Sequence, residues 1–133
     1  IVAQVYELGS IVKAFISTCA LFVGLSIVGF TTKKDLTSFG RQAMGALLGL
    51  IIASLINLFF FHSSLVELIM SGISLVIFTV LTMYDTQKLK NMYDYYEGQS
   101  ALEGIAILGA LELYLDFINI FLDILRLFGS RKD

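Results

Sequence analysis

Charged residues are distributed unevenly along this chain. Residues 14–32 and 42–66 contain no Asp, Glu, Lys or Arg, and a third uncharged run covers residues 68–84. As helices, the first two are long enough to cross a bilayer core, which takes about 20 residues, and the third lies near the lower limit. A fourth apolar segment, from about Ala101 to Phe128, carries polar residues at intervals. This pattern predicts an all-α, polytopic membrane helix bundle as a single transmembrane domain over 1–133, with helices over about 9–30, 39–61, 64–90 and 101–128. A sheet is excluded, because open sheet edges are not tolerated in lipid.

The polar stretches between the runs read as connections. Thr31 to Ser38 is rich in residues that cap helix starts, and Ser64 opens the third helix with Glu67 in its first turn, where a carboxylate suits the helix dipole. The third helix continues past Asp85 to about Lys90 and gives way to a polar connection with Tyr93, Asp94, Tyr95, Tyr96 and Glu97, whose tyrosines suit the headgroup layer. Lys13 lies near the start of the first helix, where its stem can snorkel. Within the second helix, Gly45-x-x-x-Gly49 continued by Ala53 forms a small-residue strip expected to face another helix. No proline interrupts a span, so the broken helices common in transporters are not expected.

Basic residues set the sidedness. Lys33, Lys34 and Arg41 flank the first connection, Lys88 and Lys90 follow the third helix, and the connection around His62 has neither Lys nor Arg. This places the first and third connections in the cytoplasm and makes His62 an interfacial polar residue. Arg131 and Lys132 lie on the outer side if the fourth segment spans, and on the inner side if it is re-entrant.

The fourth segment carries the candidate chemistry. Glu112, Asp116, Asn119 and Asp123 stand at i, i+4, i+7 and i+11, on one face of a helix that is otherwise almost entirely hydrocarbon. Acids in such a place are costly unless they face a partner, a bundle interior or water, so they are functional candidates. Asp85, which closes the third uncharged run, is a second intramembrane acid. Two carboxylates brought together in a low-dielectric site cannot both ionise cheaply, so they titrate as a unit. Sharing a proton they bind each other; both ionised, they repel or hold a hard cation through oxygen. Asp123, with Arg126 three residues on, is expected to form an intrahelical ion pair near the interface. Asn119 is expected to make an interhelical hydrogen bond.

Composition narrows the classes further. The chain is 57% hydrophobic and 15% charged, with mean hydropathy +0.85, whereas a soluble domain carries about 25% charge. A net charge of −2 offers no basic face to nucleic acid. Cys19 is the single cysteine, which rules out a disulfide framework and metal-ligand spacing. No dinucleotide fingerprint, phosphate loop, zinc helix or nucleophile elbow is present, so an enzyme has no support and no cofactor is implied. The chain opens on Ile1 with apolar residues, which reads as the C-terminal part of a longer protein with at least one helix in front.

Tyr84-Asp85-Thr86-Gln87 and Leu113-Tyr114-Leu115-Asp116-Phe117-Ile118-Asn119, with Phe15-x-x-Thr18-x-Ala20-x-Phe22, Thr32-Lys33-Lys34-Asp35-Leu36 and the Leu125-Arg126-Leu127-Phe128-Gly129 ending, together resemble the Bax inhibitor-1 family over essentially the whole chain. The resemblance implies the last four helices of a seven-helix, multi-pass integral membrane protein, in the cell membrane if the source is bacterial. It further implies a pH-sensitive calcium leak, with Asp85 and Asp116 as proton sensor and transient calcium ligands. A basic residue of an early helix pairs with these acids in the family's closed state, and it has no counterpart in this sequence. Glu112 and Asp123 lie outside the family motif and, with Asn119, are candidate pathway residues. The expected partners are therefore the lipid bilayer, calcium or other cations, and protons. The alternative activity is that of a membrane interaction protein that modulates a membrane protease or a cell-death regulator.

Overall fold

The computed structural model describes residues 6–129. Four helices follow one another: α1 (Leu8–Thr31), α2 (Thr37–Ile56, prolonged by a π-helical turn at Asn57–Phe61), α3 (Ser64–Tyr96) and α4 (Leu102–Phe128). No β-strand is present among the described residues. Each helix is long and apolar enough to cross a membrane. At 27 residues, α4 is about 40 Å long and unbroken, so it lacks the internal turn that a re-entrant segment needs. The tail residues Arg131 and Lys132 lie outside the described residues.

The helix ends follow local chemistry. Asp35 closes the first connection by accepting from the Thr37 hydroxyl at 2.6 Å and the Thr37 amide at 3.0 Å. Those two bonds hold its carboxyl below the usual carboxylate range. Asn57 shapes the second connection: its side chain accepts from Ser63 N at 3.1 Å and donates to Ser63 O at 3.3 Å. His62 turns the chain there with φ 51°, a left-handed conformation that His tolerates better than most residues. Ser63 caps α3, its hydroxyl accepting from Val66 N. Where the sequence suggested a polar connection from Tyr93, α3 instead continues to Tyr96. Lys88 to Tyr96 contains no Gly or Pro to stop it, and the chain leaves the helix only before Gly98, at φ 82°.

α3 is the hub. It packs on α1, α2 and, most extensively, α4, while α1 also meets α4. The core is small: Ala14, Ala43, Ile77, Phe78, Leu81, Ile120, Ile124 and Leu125 are buried, together with Tyr6. Large apolar side chains such as Phe59, Phe60 and Phe61 point outward, an exterior that suits lipid. The α1–α4 contact is aromatic, with Phe15 and Phe22 both edge-to-face with Phe117 at 5.8 and 5.4 Å. Two buried threonine hydroxyls are satisfied within their own helices. Thr18 donates to Ala14 O, and Thr82 to Phe78 O, at 2.6 and 2.7 Å.

The close helix contacts arise at glycines other than the expected ones. Gly45 and Gly49 have open space where a Cβ would stand, and Ala53 is exposed, so among the described residues the strip faces no helix. Motif spacing permits close approach without dictating which face meets a neighbour. Three other glycines do meet α3, and all within one stretch of it: Gly29 rests on the Met83 backbone, Gly40 on the Tyr84 ring and Gly109 on Leu89. A side chain at Gly29 would collide with a backbone carbonyl that cannot move aside. Gly29→Ala is therefore expected to destabilise the protein in detergent by about 1–3 kcal/mol, the usual range for overpacking. Gly24→Ala, in open space on the same helix, should leave the thermal midpoint unchanged. Equal midpoints for the two variants would remove Gly29 from the packing argument.

Candidate functional site

α3 and α4 run antiparallel about their short connection, so the C-terminal half of α3 faces the N-terminal half of α4. This brings Asp85 and Asp116 together, with their carboxyls within hydrogen-bonding reach of each other. Asp116 is only 5% exposed. Its Oδ2 is buried and, among the described residues, receives no N–H or O–H from any other group. Carboxylates only accept, so a bond between two of them needs a proton carried by one. Without that proton, two like charges about 4 Å apart would repel by about 4 kcal/mol at an effective dielectric constant of 20.

One turn nearer the connection, Lys88 spans the two helices. Its Nζ lies 2.8 Å from Glu112 Oε2 and 3.9 Å from Asp85 Oδ1, and 5.5 Å from the centre of the Tyr84 ring. Lys88 and Glu112 are both partly exposed, so this pair closes the wet end of the seam and adds little to stability. Glu112 thus pairs with a cation at the mouth of the seam.

Two turns beyond Asp116, Asp123 is fully buried. The expected ion pair with Arg126 is present at 2.6 Å, with Asp123 enclosed by the bundle and Arg126 partly exposed. Asp123 also has an unforeseen partner: Ser74 of α3 donates to its Oδ2 at 2.6 Å. Asn119 departs from expectation, since its amide donates within α4 to Leu115 O at 2.7 Å and makes no interhelical bond among the described residues. A carbonyl one turn back is always in reach of a helical side chain.

Reading α4 alone missed its complement. Ser71, Ser74 and Thr82 fall on the same face of α3 as Asp85 by helical spacing, and a search for polar residues on that face would have found them. Gln87 was also missed as a contact. Its amide donates to Lys34 O at 2.7 Å and its carbonyl accepts from Leu36 N at 2.9 Å, tying the first connection to α3 beside Asp85. Lys90 adds a second tie by donating to Phe30 O, the end of α1, at 2.9 Å. No group of three or more His, Cys, Asp or Glu side chains converges among the described residues.

Comparison with known proteins gives a consistent picture. The family model described as "Inhibitor of apoptosis-promoting Bax1" matches residues 1–133. The chain is 45% identical to the inner membrane protein YbhL of Escherichia coli K12 over 130 residues, 96% of this chain and 55% of that protein. It is 42% identical to protein RP147 of Rickettsia prowazekii over 131 residues, 98% and 55% of the two chains. With a membrane protein of Streptococcus pyogenes serotype M3 it shares 41% identity over 124 residues, 93% and 53% of the two. The chain spans about half the length of the curated relatives it matches.

The Gln87 clamp is directly testable. Gln87→Leu fills similar space but removes both hydrogen bonds to the partly buried first connection, each worth about 0.5–1.5 kcal/mol. Backbone amides of Lys33–Leu36 should then exchange hydrogen faster than in the wild type, with α4 amides unaffected. Unchanged exchange in that connection would show that the clamp does not hold it.

Proposed function

The chain belongs to the Bax inhibitor-1 family of membrane proteins, and from that premise we propose that it forms part of a pH-sensitive calcium leak gated by Asp85 and Asp116. One observation carries the reading: two carboxyls meet on the buried seam of α3 and α4, and among the described residues Asp116 Oδ2 has no other partner. A merely structural acid would be satisfied by neutral donors, as buried polar groups usually are.

The mechanism follows from the pair's two states. With one proton between them, the carboxyls bind each other and hold α3 against α4. Loss of that proton leaves two negative charges in contact. They then separate or take up a divalent cation through their oxygens, with water completing a shell that calcium fills with 6–8 ligands. No larger cluster of acids is assembled among the described residues, so the ion is held in transit rather than captured. The pair titrates jointly, so the pH dependence belongs to both residues. The glycine contacts at Met83, Tyr84 and Leu89 and the Gln87 clamp brace α3 on either side of Asp85. A change at the pair is thereby passed to the first connection.

Calcium flux through the full-length protein in liposomes should vary with pH around neutrality. Asp116→Asn is expected to abolish that variation, and Asp85→Asn to weaken or abolish it. Wild-type pH profiles in both variants would move the sensor elsewhere.

A further inference from the structure

The end of α1, the first connection and the C-terminal part of α3 border a cavity of about 330 Å³. The basic residues assign this edge to the cytoplasmic side of the membrane. Two lysines reach the cavity from distant parts of the chain, Lys33 of the connection and Lys90 of α3, and Lys34 follows Lys33 directly. Two of the three ammoniums rest over aromatic rings: Lys90 Nζ lies 4.7 Å from the centre of Phe30, and Lys34 Nζ 4.8 Å from that of Phe39. Both rings are exposed, so apolar surface and positive charge stand side by side at this edge.

The lining offers donors with capacity to spare. Lys90 gives one proton to Phe30 O, and an ammonium carries two more. The Thr32 hydroxyl accepts from Lys34 N, which leaves its own proton to donate, and Asn91 adds an exposed amide. One acid, Asp35, also lines the cavity. Its Oδ1 takes both the hydroxyl and the amide of Thr37, and no ion pair joins it to a lysine among the described residues. Lys88 and Arg126, by contrast, each engage an acid. Membrane topology asks only for positive charge on this side. It gives no reason for lysines of two elements to border one cavity with neutral donors between them. A donor set of that kind answers an oxyanion, and lysine is a common point-charge partner of phosphate.

We propose that Lys33, Lys90, Thr32 and Asn91 form a binding site for a phosphate group, with an anionic phospholipid of the inner leaflet as its carrier. Basic pockets between membrane helices on the cytoplasmic side hold anionic headgroups by this chemistry. The exposed rings of Phe30 and Phe39 favour a lipid as the carrier, since they offer its apolar part a surface beside the ammoniums. Free phosphate shares the headgroup's chemistry and is separated from it by the test. The site lies apart from the acid pair and does not depend on the calcium reading.

The test follows the thermal midpoint of the full-length protein, stripped of lipid in uncharged detergent at constant ionic strength. Phosphatidylglycerol, phosphatidylcholine or inorganic phosphate is then added, and a ligand that binds the folded state raises the midpoint. Phosphatidylglycerol should raise it by several degrees. Phosphatidylcholine, whose headgroup carries its own cation, should raise it far less. A rise with inorganic phosphate as large as that with phosphatidylglycerol supports the site with free phosphate as the occupant; a rise with the lipid alone supports the phospholipid. Lys33→Gln should cut the rise several-fold, whereas Lys13→Gln, near the other end of α1, should keep it. Asn91→Asp puts a negative charge among the lysines at nearly constant shape and should abolish the rise. Wild-type rises in both Lys33→Gln and Asn91→Asp would overturn the site. So would equal rises with the two lipids and none with phosphate, or a loss in Lys13→Gln as large as in Lys33→Gln, which would reduce the effect to overall charge. If Lys33→Gln does not fold, Asn91→Asp decides alone, and a wild-type rise in it overturns the proposal.

Discussion

A carboxyl placed between two apolar helices must be answered by another protein group, because lipid offers it nothing. The α3–α4 contact carries three such carboxyls, Asp85, Asp116 and Asp123, and the rest of the fold is arranged to answer them. Asp85 and Asp116 answer each other, while Asp123 is answered by Ser74 and Arg126. These partners fix the register of the two helices. A shift of one residue would turn the acids toward hydrocarbon, at about 2.5–3.5 kcal/mol for an aspartate at mid-membrane depth. Apolar packing alone would specify that register far less sharply, since much of the surrounding surface is apolar in every direction.

The same constraint explains the placing of the close contacts. Gly29, Gly40 and Gly109 come from three different helices, yet all press on the Met83–Leu89 stretch of α3. Asp85 sits within that stretch. Gln87, two residues on, grips the first connection by both its amide donor and its carbonyl. The segment that bears the acid is thus clamped on several sides, and the second helix lies open along Gly45 and Gly49. Rigidity is concentrated where charge is buried.

The helices and their membrane character were legible in the sequence because an uncharged run of about 20 residues matches the thickness of a bilayer core. The acid stripe of α4 was legible against the same background, since polar positions stand out among hydrocarbon. Contacts within one helix were legible from spacing, as with Asp123 and Arg126, and the meeting of Asp85 and Asp116 was legible from two intramembrane acids and the family resemblance. The Ser74–Asp123 bond and the clamp at Gln87 depend on how separate elements are rotated against each other. Periodicity in one helix does not contain that rotation. The glycine strip failed as a guide because a small residue permits contact on any face, and the extension of α3 to Tyr96 was hidden by a polar composition that a helix leaving the membrane tolerates equally well.

The central claim is that Asp85 and Asp116 act as one proton-sharing unit, and infrared spectroscopy of the reconstituted full-length protein tests it most directly. The account predicts a carbonyl band from a strongly hydrogen-bonded, protonated carboxyl that titrates with pH, and that Asp85→Asn and Asp116→Asn each shift or remove. A titrating carboxyl band that neither substitution alters would contradict it.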